Sequence, residues 1–210
     1  DYSIDIMIDK GPNARSVQLS LNEFTLIGAT TKLGNLTSPL RDRFGVLLRL
    51  DFYNHKHLLE IIKRSAIILK IKIDDSAALE IAKRSRGTPR ISNRILKRAR
   101  DFADIESNGN ITLDIANLTL SKLDVDNLGL DQMDRNILNI LIKKFNGGPV
   151  GLESLGVAIS EDSKTLEEVY EPYLIKEGFL QRTPRGRKAL PKAYKHLNID
   201  YNDDNQLNIS

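Results

Sequence analysis

The sequence predicts a mixed fold: the end of an α/β domain, then an all-helical domain, then a small domain of three helices and a two-stranded hairpin. Three observations predict it. Residues 2–8 alternate between apolar and polar side chains, which is the period of a strand. Residues 54–128 carry apolar side chains at helical spacing. Residues 129–197 place helical patterns before two short strands that flank an arginine-rich turn.

The composition is that of a globular protein. The 210 residues are 40% hydrophobic and 28% charged and include no cysteine, which excludes disulfides and cysteine-based zinc sites. No apolar run approaches the roughly 18 residues of a membrane span, and no signal peptide is visible, so a cytoplasmic location is the simplest expectation. Because the chain begins at Asp1, inside a strand pattern, we expect it to be a fragment of a longer protein.

The net charge of +3 is unevenly distributed. Eight basic residues and no acidic one lie from Lys83 to Arg100, and six basic residues and no acidic one lie from Arg182 to Lys195. Clusters of this kind indicate a polyanionic partner such as nucleotide or nucleic acid. A solvated helix face is the alternative for either cluster.

The first domain is predicted to cover residues 1–53. A turn at Lys10-Gly11-Pro12-Asn13 and a return strand at 16–19 make residues 2–20 a predicted β-hairpin. Short apolar runs at 24–29 and 46–52 predict buried strands, the first of them parallel. Residues 40–43 are predicted to form a short helical turn.

The second domain is predicted to cover residues 54–128 and to be helical. Helical spacing predicts four helices, at 57–69, 74–85, 89–107 and 112–123. Pro89 is placed at the first position of the third helix, where proline is favoured.

The third domain is predicted to cover residues 129–197, with residues 198–210 as a disordered tail because they are rich in Asn and Asp. Helices at 131–145, 150–159 and 163–176, the last interrupted by Pro172, precede strands at 178–182 and 188–190. Three helices, a strand, a basic turn and a strand are the element order of a winged helix, a DNA-binding fold.

Two threonines end the first predicted buried strand. Thr30 and Thr31 follow Leu26-Ile27-Gly28-Ala29. The carboxyl ends of buried strands line the crevice in which α/β sheets bind ligands. In an ATPase, a hydroxyl group at this point can orient the water that attacks the γ-phosphate. A purely structural threonine is the alternative.

Two arginines flank an aspartate in Arg41-Asp42-Arg43-Phe44. An arginine that reaches the γ-phosphate of a neighbouring subunit stabilises transition-state charge, worth about 10³–10⁵ in rate in GTPases. Guanidinium suits this role because it is always charged and binds phosphate oxygens bidentately. The alternative is an intramolecular ion pair with the aspartate, and we expect one arginine to take each role.

Two further motifs are rich in arginine. Arg86-Gly87-Thr88-Pro89-Arg90 puts an arginine at a helix start, which is a good site for an anion, although an ordinary helix boundary has the same pattern. The hairpin segment at 180–187 carries three arginines around its turn, which suits phosphate contacts without base recognition. A solubilising hairpin tip is the alternative there. The three arginines are Arg182, Arg185 and Arg187.

The order of six motifs resembles the RuvB family of bacterial Holliday-junction branch-migration motors, and the resemblance covers residues 2–197. The motifs are Gly-Ala-Thr-Thr, Leu-Thr-Ser-Pro-Leu-Arg-Asp-Arg-Phe-Gly, Arg-Gly-Thr-Pro-Arg-Ile, Gly-Gly-Pro-Val-Gly-Leu, Glu-Pro-Tyr-Leu-Ile and Gly-Phe-Leu-Gln-Arg-Thr-Pro-Arg-Gly-Arg. The resemblance implies the end of an AAA+ ATPase domain with a β-hairpin, a helical lid domain and a carboxy-terminal winged-helix domain.

The resemblance also implies roles for single residues. Thr31 is implied to be the sensor-1 residue, with Thr30 beside it, and Arg43 to be the arginine finger. Arg90, next to Pro89, is implied to be the sensor-2 arginine of the lid. The hairpin resembles the family's docking element for the junction-binding protein RuvA, since exposed apolar residues suit a partner surface. The residues implied in docking are Ile4, Ile6, Ile8, Val17 and Leu19.

The implied function is that of an ATP-driven homo-hexamer that moves duplex DNA out of a four-way junction during recombination, repair and the SOS response. A RuvA-like protein and a RuvC-like resolvase are the implied partners, and ATP or ADP and Mg²⁺ the implied cofactors of the intact protein. These 210 residues contain no Gly-x-x-x-x-Gly-Lys-Ser/Thr loop and no apolar strand ending in Asp-Glu. We therefore expect this chain alone neither to bind ATP tightly nor to hydrolyse it, and we predict no metal ligand within it.

Two other interpretations stay open. Another AAA+ DNA machine, such as a clamp loader or replication initiator, would share the sensor and finger roles. A non-enzymatic winged-helix regulator would need a base-reading helix, whereas the third helix of that domain and its end carry four glutamates, Glu167, Glu168, Glu171 and Glu177. Whether Arg41 or Arg43 is the finger also stays open, although the family pattern favours Arg43.

Overall fold

The computed structural model describes residues 2–8 and 15–201. The chain divides into two compact units, Asp1–Leu50 and Asp51–Ser210. In the first unit, β1 (Ser3–Met7) and β2 (Ser16–Ser20) pair antiparallel, so the predicted β-hairpin is confirmed. Its predicted turn at 10–13 lies outside the described residues. A 3-10 turn at Leu33–Asn35 precedes α1 (Ser38–Asp42), which confirms the predicted helical turn.

The buried strands predicted at 24–29 and 46–52 are wrong. Neither segment is a strand, and Ile27, Leu48 and Leu50 are 87%, 82% and 93% exposed. A buried parallel strand needs hydrogen-bonded strands beside it and apolar layers on its faces. In the described part of this unit the strands are β1 and β2, and they pair with each other. Neither apolar run therefore has a partner strand among the described residues.

The second unit begins with the helical lid, and its four predicted helices are confirmed. A two-residue parallel pair between the loops, β3 with β4, was not predicted because it is too short to show any periodicity. In chain order the lid consists of α2 (His55–Ile68), β3 (Lys72–Ile73), α3 (Asp75–Lys83), α4 (Pro89–Glu106), β4 (Asn110–Ile111) and α5 (Leu113–Lys122).

The lid has its own apolar core. Three alanines on α3 are completely buried and, because they are small, allow the neighbouring helices to approach closely. The apolar stripe of α4 faces this core, so the basic residues of α4 point outward. The largest fully buried side chains of the core are Leu58, Ile62, Ile81, Ile95, Leu96, Ile111 and Leu120.

The remainder of the second unit is a winged helix, as predicted. A π-helical turn at Leu166–Tyr170 joins α8 to α9, with Pro172 in the first turn of α9, so the predicted interruption is confirmed. We call the hairpin of β5 and β6 the wing. Val150 pairs with Arg187 of β6 in an isolated antiparallel bridge, on the other side of β6 from β5. The elements are α6 (Gln132–Phe145), α7 (Leu152–Ile159), α8 (Ser163–Thr165), α9 (Glu171–Lys176), β5 (Leu180–Thr183), β6 (Gly186–Ala189) and α10 (Pro191–His196).

The predicted disordered tail is wrong for residues 198–201, and residues 202–210 lie outside the described residues. Ile199 packs against the winged-helix core, and its amide donates to the Tyr194 carbonyl at 2.9 Å. The ring of Tyr201 lies 4.9 Å from the ring of Tyr194, centre to centre. The packing of Ile199 thus holds the chain against the winged-helix core just after α10.

Candidate functional site

The predicted sensor threonines lie in an exposed loop of the first unit, not at the end of a strand. The hydroxyl oxygen of Thr30 accepts a hydrogen bond from the Lys32 amide at 3.0 Å, which turns the chain after the threonines. A Cβ atom at Gly28 would lie 3.3 Å from Cζ of Phe44, so the aromatic ring packs against this glycine. The structure therefore brings the threonine loop next to the end of α1.

The two arginines of the finger motif differ in their surroundings. Arg41 donates a hydrogen bond to the Ser38 hydroxyl at 3.1 Å, whereas Arg43 follows α1 and is exposed. Within residues 2–8 and 15–201, neither arginine forms an ion pair with Asp42, so that expectation is wrong. Arg41 is instead bonded to Ser38, three residues earlier on the same face of α1.

Arg90 lies exposed in the first turn of α4, beside the partly buried Pro89. The first turn of α4 contains no acidic residue, and the N-cap Thr88 makes no side-chain cap, so nothing there neutralises the positive end of the helix. Arg94 and Lys97 are exposed on the following turns. The start of α4 is therefore a positively charged surface, as an anion site requires.

The sequence had suggested one common role, phosphate contact, for the three wing arginines. In the structure their surroundings differ. Arg187 has 13% of its side chain exposed, and its Nε and NH2 donate to Oε1 and Oε2 of Glu171 at 2.9 and 3.1 Å. Arg182, with 51% exposed, binds the same two oxygens at 3.2 and 2.7 Å. One carboxylate, itself 4% exposed, thus accepts four hydrogen bonds and ties the wing to α9.

This arrangement keeps Glu171 ionised. Burial by itself would raise the pKa of the Glu171 carboxyl, but the hydrogen bonds from Arg187 and Arg182 outweigh burial and lower that pKa. The same hydrogen bonds raise the pKa of Arg182. Because Glu167 also lies 3.4 Å from Arg182, the positive charge of both arginines is largely balanced by the two glutamates.

Arg185 stands apart from this network. It lies in the turn between β5 and β6 and is exposed, as is Lys188 on β6. Over the described ranges neither side chain has an ion-pair partner, so the unbalanced positive charge of the wing is carried by these two residues. The burial of Arg187 does not favour its predicted role as a DNA contact.

The hairpin of the first unit presents the predicted apolar surface. Ile4 pairs with Leu19 and Ile6 with Val17, and side chains of directly paired residues lie on the same face. The exposures of the five predicted docking residues are 48% for Ile4, 44% for Ile6, 61% for Ile8, 41% for Val17 and 45% for Leu19. An apolar face this open on a two-stranded hairpin is typical of a binding surface.

Sequence reasoning missed two residues that organise the second unit, Glu171 and Arg86. The signal for Glu171 was charge complementarity between a helix rich in glutamate and the basic hairpin that follows it. Arg86 had no local signal, because its partners Asp131 and Asp134 come more than forty residues later, the second of them 48 residues later.

The described residues were also compared with the requirements of a membrane-spanning helix and of a metal site. No helix in them combines the length and apolar content needed to cross a membrane. They also contain no group of three or more His, Asp or Glu side chains arranged to hold a metal ion.

Three family models match successive parts of the chain. Residues 1–50 match the Holliday junction DNA helicase RuvB P-loop domain, residues 53–126 match the RuvB AAA lid domain, and residues 127–198 match the RuvB C-terminal winged helix domain. The matches run through both units and include every candidate site residue.

The chain is also similar to two curated relatives, from Flavobacterium psychrophilum and Flavobacterium johnsoniae, each described as Holliday junction branch migration complex subunit RuvB. Each is 60% identical over 197 residues, which is 94% of this chain and 58% of the relative. The chain therefore spans little more than half the length of these relatives.

Solved structures of Thermotoga maritima RuvB share the fold. A structure described as the Holliday junction branch migration motor is 51% identical, with a TM-score of 0.77 over 80% of this chain and 57% of that one. A single-residue mutant of the same protein is 51% identical, with a TM-score of 0.81 over 88% of this chain and 61% of that one.

Proposed function

Because the chain belongs to the RuvB family, we propose that it works as part of an ATP-dependent motor that drives branch migration of Holliday junctions. The observation that carries the proposal is the direct succession of a lid with an exposed arginine at a helix start and a winged helix with an exposed basic tip. The lid supplies a group for phosphate, and the wing supplies a group for DNA.

The groups present suit the phosphates of a nucleotide. Guanidinium groups at Arg43 and Arg90 are exposed and bind phosphate oxygens well, and Thr31 belongs to the exposed loop that follows Gly28. The Gly-x-x-x-x-Gly-Lys-Ser/Thr loop, which binds nucleotide phosphates through its backbone, does not occur in this sequence. The residues present would therefore contact only part of the nucleotide. In the intact protein, hydrolysis of ATP bound with Mg²⁺ would supply the free energy of movement, and this chain alone would not hydrolyse ATP.

Each of these residues would have a distinct role. Arg43 would reach the nucleotide of the neighbouring subunit in a homo-hexamer and stabilise the charge that develops on the phosphate. Thr31, with Thr30 beside it, would orient the attacking water. Arg90 would report the phosphate to the lid, since it lies on the first turn of the lid helix α4.

The winged helix would hold duplex DNA by its phosphates. Arg185 would make this contact with Lys188, and Arg182, half exposed, would add to it. Contacts of this kind give affinity without sequence preference, as a motor that passes along any sequence requires. The apolar face of the β1–β2 hairpin would dock a RuvA-like junction-binding protein, and a RuvC-like resolvase would act on the same junction.

The test follows the dissociation of a labelled four-way junction by the full-length gene product with ATP, with and without its RuvA-like partner. We expect dissociation that depends on the partner and is lost in Arg43→Ala. Arg41→Ala is the matched control, because Arg41 is bound to Ser38, and it should retain activity. No dissociation by the wild type, with the partner shown to bind the junction, would reject branch migration in favour of another AAA+ function.

A further inference from the structure

Arg86 belongs to the lid, but its side chain is inserted into the winged-helix domain. Its Nε donates to the Gly129 carbonyl at 2.7 Å, and its NH2 lies 3.0 Å from a carboxylate oxygen of Asp131 and donates to Asp134. Its guanidinium carbon lies 5.1 Å from the centre of the Tyr173 ring. With 9% of the side chain exposed, Arg86 is almost completely enclosed by these four groups.

The acceptors that receive Arg86 are themselves held in place. Asp131 and Asp134 form a capping box at the start of α6, in which each carboxylate accepts the backbone N–H of the other, at 3.0 and 2.9 Å. The Tyr173 hydroxyl donates to the Leu128 carbonyl at 2.6 Å. The guanidinium group therefore binds a preformed helix cap and not two mobile surface side chains.

The backbone that carries Arg86 is equally confined. Arg86 and Gly87 have φ angles of 54° and 70°, in the left-handed region. A Cβ atom at Gly87 would lie 2.7 Å from Cβ of Phe52 and 3.2 Å from Nζ of Lys176. The Tyr53 amide donates to the Gly87 carbonyl at 2.9 Å. This tight turn thus contacts both the start of the lid and the winged helix.

We propose that Arg86 is a positioning residue that fixes the winged-helix domain to the lid, so that the two domains move as one body. The mechanical role of this link rests on the proposed motor function. The existence of the link does not depend on that function. Arg90 lies four residues after this arginine, in the first turn of α4, so a lid movement caused by phosphate would pass directly to the wing. An ion pair excluded from water is costly to break by removing one partner, which makes it a firm connection.

Other contacts join the linker to the winged helix. Asp126 lies 3.6 Å from Arg135 on α6 and 2.8 Å from His196 on α10. Arg135 lies 2.6 Å from Asp124, but 59% of the Asp124 side chain is exposed. Water and salt screen such a pair, so it adds little rigidity. Arg86, by contrast, runs from the lid itself into the winged helix and is almost completely enclosed, so we expect its loss to loosen the winged helix from the lid.

The link is tested first in the 210-residue chain with Arg86→Gln. The double variant Arg86→Gln/Asp134→Asn guards against misfolding, because it leaves no unpaired buried charge. Lys63→Gln is the matched control, since it removes an exposed ion pair of the lid, 2.7 Å from Asp75. Thermal unfolding would be followed by circular dichroism and calorimetry, and linker cleavage at 124–131 by limited proteolysis.

We expect the second unit, Asp51–Ser210, to unfold in one transition in the wild type and in Lys63→Gln. In both Arg86 variants we expect this unit to unfold in two transitions, with linker cleavage faster by about tenfold or more. A single transition with unchanged cleavage in the double variant would overturn the link. If Arg86→Gln alone does not fold, the double variant decides the outcome.

The mechanical consequence is tested in the full-length protein by the number of junctions dissociated per ATP hydrolysed. We expect Arg86→Gln to keep ATP hydrolysis within about twofold of wild type but to lower this ratio by about tenfold. A merely structural defect would lower both activities together and leave the ratio unchanged, which would overturn the coupling role. If the wild type dissociates no junctions, the proposed function fails, while the unfolding result still decides whether the link exists.

Discussion

Glu171 on α9 and Arg187 on β6 form a bidentate ion pair, with Nε to Oε1 at 2.9 Å and NH2 to Oε2 at 3.1 Å. Both side chains are largely removed from water, and the same carboxylate binds Arg182. The wing is therefore held against the preceding helix by charge, and part of its arginine content is structural.

Removal of Arg187 should destabilise the winged helix. Arg187→Ala leaves Glu171 buried and only partly paired, so we expect a loss of about 3–5 kcal/mol in the free energy of unfolding, measured by urea denaturation. Lys188→Ala, which changes the exposed neighbouring residue, should differ from wild type by less than about 0.5 kcal/mol. Equal stability of the two variants would show that the ion pair contributes nothing.

Removal of Arg185 should weaken DNA binding without affecting the fold. Each phosphate contact adds about 0.9 to the slope of log affinity against log salt concentration, so Arg185→Ala should lower that slope by about one and weaken different duplex sequences equally. The measurement is fluorescence anisotropy at several salt concentrations. Lys143→Ala, an exposed basic residue of α6, is the control and should leave the slope unchanged. A sequence-dependent loss would instead indicate a base contact.

Stability should depend on pH through Asp134. Burial raises the pKa of the Asp134 carboxyl to about 7, although Arg86 partly opposes the increase and Asp131 adds to it. A raised carboxyl pKa contributes stability below the unfolded pKa, and this contribution declines as the pH rises towards 7. From pH 5 to about pH 7 the wild type should therefore lose stability relative to Asp134→Asn, at about 1.4 kcal/mol per pH unit, and from there to pH 8 the difference should level off. Parallel denaturation curves for the two proteins across this range would contradict the prediction.

Substitution of two glycines by alanine should distinguish the cost of backbone strain from the cost of steric overlap. Gly186 has a φ of 134°, and a Cβ there would overlap the Val150 carbonyl, whereas Gly178 has a φ of 72° and open space around its Cβ. Gly178→Ala should cost about 1 kcal/mol for its backbone angle alone. Gly186→Ala should cost about 1–3 kcal/mol more because the Val150 segment must move. Thermal unfolding of both variants measures the difference, and equal losses would rule out the overlap.

The sequence by itself determined the helices of the second unit, the β-hairpin and the winged-helix order. Their signals are local, because apolar spacing sets which face of a helix or strand is buried. The short pair β3 and β4 gave no such signal, and the apolar segments at 24–29 and 46–52 gave a misleading one. Burial of a strand depends on neighbouring strands, and these do not lie beside those segments in the described residues.

Tertiary structure alone decided which arginines are available to a ligand. Along the sequence Arg182, Arg185 and Arg187 are equivalent members of one basic turn, but the fold encloses Arg187 against Glu171 and leaves Arg185 exposed. Arg86 likewise looks like one more charge in a basic cluster, until folding brings it to Asp134, 48 residues away. The physical reason is that a charge takes its role from partners and burial, and these depend on contacts between residues far apart in sequence.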